Sequence, residues 1–199
     1  MNKIACFDLD GVTVAAHEPF SQRLVRRQGL EIKPAVDEYF SRYFKSVMLG
    51  STALGDSLEP YLSQFKWKGT TVTLMDFWFN GEKDIQAPVL QLVTEVRASG
   101  IPTYLVTDNP KERTDQLWKE GLDQYFDGKY VSGETGLKKS TSVLWEYIAK
   151  ELNVVSSDIF FTDDDLENVE VARAAGVKAE FFTNTRDLRQ QLQSFGAEV

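Results

Sequence analysis

Cysteine and histidine each occur once in the 199 residues, as Cys6 and His17. A lone thiol cannot close an internal disulfide, which fits a reducing compartment. A basic surplus is also missing: 22 Lys and Arg against 30 Asp and Glu leave a formal charge of −8, with no Lys/Arg block. Nucleic-acid binders usually carry a basic face, so no nucleic-acid partner is expected. Long apolar runs are absent too, none approaching the roughly 20 residues that cross a bilayer, so no membrane partner is expected. The start, Met1-Asn2-Lys3-Ile4, runs straight into a predicted strand and leaves no room for a signal peptide. A cytoplasmic location is the expectation.

What is present suits a folded core. Hydrophobic residues make up 42% and charged residues 26%, and thirteen Phe, seven Tyr and four Trp supply bulk to bury. The length allows one well-buried core plus a smaller module. Residues 3–7 form a short apolar run that stops at Asp8-Leu9-Asp10-Gly11, which reads as a buried parallel strand ending in a turn. From Pro19 to Asn80 apolar residues recur at helical spacing: Tyr39, Phe40, Tyr43, Phe44 and Val47, then Leu58, Tyr61, Leu62 and Phe65, then Leu74, Phe77 and Trp78. Glycines and Pro34 break this stretch into about four helices without a strand, and Thr70 or Thr71 is a plausible N-cap for the last.

Beyond Gly81 the rhythm is strand–helix. Helices are predicted over 87–99, 111–120, 140–152 and 166–175 and from about 185, with strands at 103–106, near 130–131, at 159–161 and at 179–182. Gly100, Gly121 and Gly176 sit where helices stop, the place that favours a left-handed residue. This alternation predicts an α/β fold, a doubly wound Rossmann-like parallel sheet. The first strand must join the later ones, so the helical part is inserted: core at 1–14 and 83–199, all-helical cap domain at 15–82.

Open parallel sheets bind ligands at the carboxyl ends of their strands. Here those ends carry Asp8-Leu9-Asp10-Gly11, Thr107-Asp108-Asn109 and Thr162-Asp163-Asp164-Asp165, and a nearby loop carries Gly136-Leu137-Lys138-Lys139. Phosphoryl transfer needs a nucleophile, a divalent cation, a cationic partner for the phosphoryl oxygens and an acid for the leaving group. Carboxylates from two strand ends make an oxygen-rich site suited to Mg²⁺. Asp8 and Asp10, two apart, share a face of an extended chain until the Gly11 turn lets them diverge, one to attack and one to protonate. Each signal alone has a plainer meaning. Asp-x-Asp-Gly is often only a turn, three aspartates before a helix serve as an N-cap, and a single lysine is usually solvated. Cys6 reads as a buried small hydrophobe, and His17 as a surface residue without a visible partner. Four such signals, in order at one sheet edge, carry more than any one.

These four segments together resemble the haloacid dehalogenase-like hydrolase superfamily, in its branch with a helical cap inserted after the first motif. The match runs over essentially the whole chain: Ile4-Ala5-Cys6-Phe7-Asp8-Leu9-Asp10-Gly11-Val12, Tyr104-Leu105-Val106-Thr107-Asp108-Asn109, Ser132 through Lys139, and Phe160 through Val169 continuing to Val177. The resemblance implies a nucleophilic Asp8 that forms an aspartyl-phosphate and an acid/base at Asp10. It implies phosphate contacts from Thr107, Asp108 and Lys139. It implies Mg²⁺ held by Asp8, the Asp10 backbone carbonyl and Asp164, with Asp163 and Asn168 in support. Ser140 stands where proline commonly follows the lysine, which leaves both Lys138 and Lys139 open for the phosphate contact. Dehalogenases of the superfamily lack the second aspartate of the first motif, so Asp10 points to phosphate esters.

The expected function is therefore a Mg²⁺-dependent phosphatase for a small phosphorylated metabolite. A phosphotransferase of the phosphoglucomutase kind, and a catalytically idle phosphate-binding domain, are the alternatives. Arg23, Arg26, Arg27, Arg42 and Lys45 of the helical insert read as a solvated face. Oligomeric state and the substrate's identity are left open.

Overall fold

The short apolar run at the N-terminus becomes the centre of the molecule. The structure, a computed structural model, describes residues 3–199; Met1 and Asn2, on which the reading of a leader-free start depends, lie outside the described residues. Strand β1 (Ile4–Phe7) is buried throughout. It pairs in parallel on one side with β2 (Thr103–Thr107) and on the other with β4 (Ile159–Asp163). Strands β3 (Gly128–Val131) and β5 (Lys178–Phe181) complete an all-parallel sheet of order β3-β2-β1-β4-β5.

Alternation along β1 explains why both faces are covered. Ala5, Phe7 and Leu9 pack into one hydrophobic cluster with α5 (Ala87–Ala98) and α10 (Thr185–Phe195). Ile4 and Cys6 pack into a second with α8 (Ser142–Glu151) and α9 (Leu166–Ala174). Side chains leave a strand on alternate faces, so a strand sandwiched by helices must be apolar at every position. Full burial of a residue such as Phe7 contributes roughly 1.5–3 kcal/mol.

Between β1 and α5 lies the helical insert: α1 (Phe20–Gln28), α2 (Lys33–Met48), the short α3 (Leu54–Leu58) and α4 (Thr71–Asn80). It has its own cluster, in which Phe20 stacks on Trp78 at 4.2 Å and 6°. Thr70 caps α4 by accepting from the Thr73 amide. The chain leaves and re-enters the core side by side, with Val14 bridged to Ile85, Ala15 N donating to Asp84 O, and Gln86 N donating to Thr13 O.

Some expected boundaries shift. The helix expected from 140 begins at Ser142, because the Lys139 amide donates to the Asp108 carboxylate and Thr141 N closes a turn on Lys138 O. β4 runs two residues further than expected, to Asp163, whose carbonyl accepts from Phe182 N. A single helical turn, α7 (Ser132–Thr135), stands where only a loop was read, and α6 (Lys111–Lys119) follows β2. No helix of the described residues is long and apolar enough to cross a membrane.

Candidate active site

Strand register brings the motif residues to one edge. Phe7 pairs with Leu105 and Thr162, so Asp8, Thr107–Asp108 and Asp163–Asp164 leave the sheet at nearly the same level. They surround a cavity of about 550 Å³ lined by Asp8, Asp10, Asp108, Lys139, Asp163 and Asp164, among others.

Asp8 is 4% exposed. Its Oδ1 accepts from the Leu9 amide at 2.7 Å, and the Lys139 Nζ lies 2.6 Å from that same oxygen. Lys139 also reaches Asp163 Oδ2 at 2.7 Å, and of the two lysines it is the buried one. Lys138 stays half-buried at the cavity wall.

The three aspartates at the end of β4 and just beyond it divide their work. Asp163 is fully buried, accepting from Asp165 N at 2.8 Å and from Asn168 Nδ2 at 3.2 Å. Asp165 caps α9 by accepting from Glu167 N. Asp164 faces the cavity across Gly11, which has φ +80° and whose absent Cβ would sit 2.0 Å from Asp164 Oδ2. Only glycine can turn the chain here and leave that carboxylate room.

Oxygens of Asp8, Asp163 and Asp164 all lie within 4.8 Å of one another. Burial drives Asp8 well above the usual carboxylate range against the pull of Lys139, and the Asp163 charge adds to the rise. Asp164 is raised by burial and by Asp163. Asp108 is raised by burial with Lys139 opposing. Burial would lower the Lys139 ammonium, but Asp8 and Asp163 hold it above its ordinary value. One lysine thus serves a crowd of carboxylates, and hard oxygen donors in this number suit a divalent cation such as Mg²⁺.

Asp10 has a different environment. Arg113 grips it with two bonds, Nη2 to Oδ1 at 2.6 Å and Nη1 to Oδ2 at 2.8 Å, and Asn109 Nδ2 adds a third at 2.8 Å. Burial would raise its pKa, but the Arg113 charge and these bonds outweigh it and hold Asp10 below its ordinary value. Thr107 is buried, and its hydroxyl accepts from Asn109 Nδ2 at 2.7 Å, so it braces Asn109 behind the cavity lining.

Arg113 and Glu82 escaped the sequence reading, and Asn109 stood there only as part of Thr107-Asp108-Asn109, with no role of its own. Arg113 is 2% exposed and also donates to Glu82 O and Asn109 Oδ1. The signal was available only for one pair, since Asn109 and Arg113 are four apart at the head of a helix. Glu82 is buried, accepting from Trp78 Nε1 at 2.8 Å and Phe20 N at 3.0 Å. Two readings need correction. His17 is not an unpartnered surface residue: its side chain is 21% exposed, Nε2 lies 3.5 Å from Glu82 Oε2, and it lines the cavity. Arg23 is not solvated: its guanidinium donates to Phe77 O and Trp78 O at the end of α4 and pairs with Glu82 at 3.2 Å. Cys6 is buried, and burial pushes its thiol up, as a packing residue requires.

A parallel five-stranded sheet with acidic strand ends and a helical insert after the first defines a class, and sequence comparison names it. The family model for haloacid dehalogenase-like hydrolases matches residues 2–176, and the chain belongs to that family. A sesquiterpene phosphatase of Aspergillus oryzae, astK, is 28% identical over 100 residues, covering 50% of this chain and 51% of that protein. A D-ribitol-5-phosphate phosphatase of Bacteroides thetaiotaomicron is 28% identical over 71 residues, covering 36% of this chain and 34% of its own. The chain thus spans about half or less of these curated relatives. A HAD family enzyme of the same bacterium, solved as a magnesium complex, superposes with TM-score 0.78 at 18% identity over 91% of this chain and 93% of its own.

Proposed function

We propose that this protein is a Mg²⁺-dependent phosphomonoesterase working through an aspartyl-phosphate on Asp8. The observation that carries the reading is the buried Lys139 bridging Asp8 and Asp163, with Asp164 completing the carboxylate cluster and Asp10 set apart on Arg113. Two relatives named as phosphatases, and a structural neighbour solved with magnesium and inorganic phosphate, support it.

In this reading Asp8 attacks phosphorus, the ester P–O bond breaks, and the alcohol leaves with a proton from Asp10. Water then gives a proton to Asp10 and attacks the same phosphorus, releasing phosphate and restoring Asp8. Lys139 holds Asp8 in position and offsets charge on the phosphoryl oxygens. Asp8, Asp164 and the Asp10 carbonyl would hold Mg²⁺, which supplies charge neutralisation of the transferring group. Asp163 and Asn168 fix Lys139 and the cluster from behind. Asp108 lies at the phosphate side of the cavity and anchors the Lys139 backbone, while Thr107 acts through Asn109. Arg113 favours the carboxylate of Asp10, so to serve as the acid in this reading Asp10 must first take up a proton from water in exchange for that pairing. Residues 15–82 form the cap over this edge, on a core of 1–14 and 83–199. Their separate hydrophobic cluster and the paired crossing at Val14–Ile85 support that division.

The test is a phosphate-release screen over phosphomonoesters with and without Mg²⁺, using wild-type protein and Asp8→Asn. Mg²⁺-dependent release lost in Asp8→Asn is expected. Isomerised sugar phosphate without free phosphate would replace hydrolysis by phosphotransfer.

A further inference from the structure

A second cavity, of about 250 Å³, opens from the first between the insert and the start of α6. The two share Asp10, His17 and Asp108, so a molecule whose phosphate lies by Asp8 extends its other end past Asp10 into this space. The far walls are Phe20, Phe40, Phe44, Met48 and Trp78, with Pro110 opposite.

Three of these wall residues form one stripe. Phe40, Phe44 and Met48 are spaced by four along α2, so they stack on a single helical face. Val36, Tyr39 and Val47 are buried in the insert's own cluster, against which Phe40 and Phe44 pack while remaining partly exposed. Phe40 packs on Phe44 at 5.0 Å and on Trp78 at 6.0 Å, giving the cavity a continuous aromatic wall.

Of the polar groups that border it, Arg113, Asn109 and Glu82 are already engaged, and Asp10, His17, Ser21 and Asp108 complete the polar edge. Arg113 is spent on Asp10, Asn109 and Glu82. Both amide hydrogens of Asn109 are given to Asp10 and Thr107. Glu82 accepts from Trp78, Phe20 and Arg23. None of the insert's lysines or arginines lines it. A polyhydroxylated leaving group would give up water here for few partners, and a second anionic group would meet no lining Lys or Arg other than the engaged Arg113.

We propose that the alcohol released from the phosphate ester is apolar, an aryl or alkyl group seated between the α2 stripe and Pro110. This rests on the phosphatase reading above and names its substrate class. An apolar cavity of about 150 Å³ accepts benzene, so the present space takes a group somewhat larger than a phenyl ring.

A homologous series tests it: methyl through octyl phosphate, with glycerol 3-phosphate and ribose 5-phosphate as polar counterparts, each assayed for kcat/KM with Mg²⁺. Acetyl phosphate, whose small activated acyl group reaches little of the cavity, reports on the phosphatase chemistry by itself. In the wild-type protein kcat/KM should climb about fourfold per methylene until the cavity fills. Propyl phosphate should exceed glycerol 3-phosphate by about tenfold or more. Phe44→Ser should flatten the climb, and Phe44→Leu should keep most of it. Because the readout is a slope across substrates, a smaller folded fraction scales every rate alike and leaves it unchanged. A flat series, or glycerol or ribose esters matching the longer alkyl esters, overturns the apolar leaving group while acetyl phosphate turnover preserves the phosphatase. Failure to hydrolyse acetyl phosphate and every ester removes both.

Discussion

Asp163, Asp164 and Asp165 leave β4 in three directions: one into the core against Lys139, one into the cavity, one onto the first amides of α9. Neighbouring lysines divide in the same way, since Lys139 is buried between two carboxylates and Lys138 is half-buried at the rim. Replacement therefore has unequal consequences. Lys139→Ala should lower the rate at least ~10²-fold, the scale for removing a preorganised electrostatic partner. Lys138→Ala should stay near wild type. The reverse pattern in steady-state rates would shift the phosphate contact by one residue. Arg113 gives a second prediction, because it acts on Asp10 and not on phosphorus. Arg113→Lys keeps a charge but loses the planar fork that holds both oxygens of Asp10. Rates on alkyl phosphates, which need a proton on the leaving oxygen, should fall more than rates on p-nitrophenyl phosphate, which needs little help. Equal losses on both substrates would mean Arg113 supports only the fold.

At the scale of elements, the insert rests on the core through a close backbone approach. Gly50, with φ +68°, lies at the end of α2, and a Cβ there would sit 2.2 Å from Gly133 O in α7. Nearby, Leu54 N at the head of α3 donates to Glu112 Oε1 of α6 at 2.9 Å. Gly50→Ala meets both a left-handed backbone and a clash, a strain of order 1–3 kcal/mol. It should lower the melting temperature and speed proteolytic nicking within the insert, both measurable on purified protein; an unchanged Tm with unchanged nicking would contradict the contact. That contact was not legible in the sequence, where Gly50 read only as a breaker. Repeating apolar patterns and terminal glycines made the βα order readable, and acidic strand ends marked the edge where the site lies. The Glu82–Arg113–Arg23–His17 network stayed hidden because its members are scattered along the chain, and each resembles a surface charge until folding joins them. The late start of α8 was hidden for a related reason: a distant carboxylate, Asp108, holds the Lys139 amide out of the helix.

For the molecule as a whole, the carboxylate cluster is a stored cost that a cation can relieve. The chain already carries a formal charge of −8, and Asp8 and Asp164 are raised by burial and by the neighbouring Asp163 charge. A divalent ion that binds this cluster in the folded state, and not in the unfolded chain, stabilises folding by about 2.7 kcal/mol at a hundredfold excess over its Kd. At roughly 2–4 °C per kcal/mol for a chain of this size, Mg²⁺ should raise Tm by about 5–11 °C, and chelator should reverse the rise. Two substitutions in the same loop separate binding from folding. Asp164→Asn removes a proposed ligand, so most of the Mg²⁺ shift should vanish. Asp165→Ala removes only the cap of α9, so Tm without Mg²⁺ should drop by the equivalent of about 0.5–2 kcal/mol while the shift persists. A scanning calorimetry series over Mg²⁺ concentration reads both quantities at once. An equal shift in wild type and Asp164→Asn would place the ion elsewhere. No shift in any of the three would remove the metal from the site and the Mg²⁺-dependent mechanism with it.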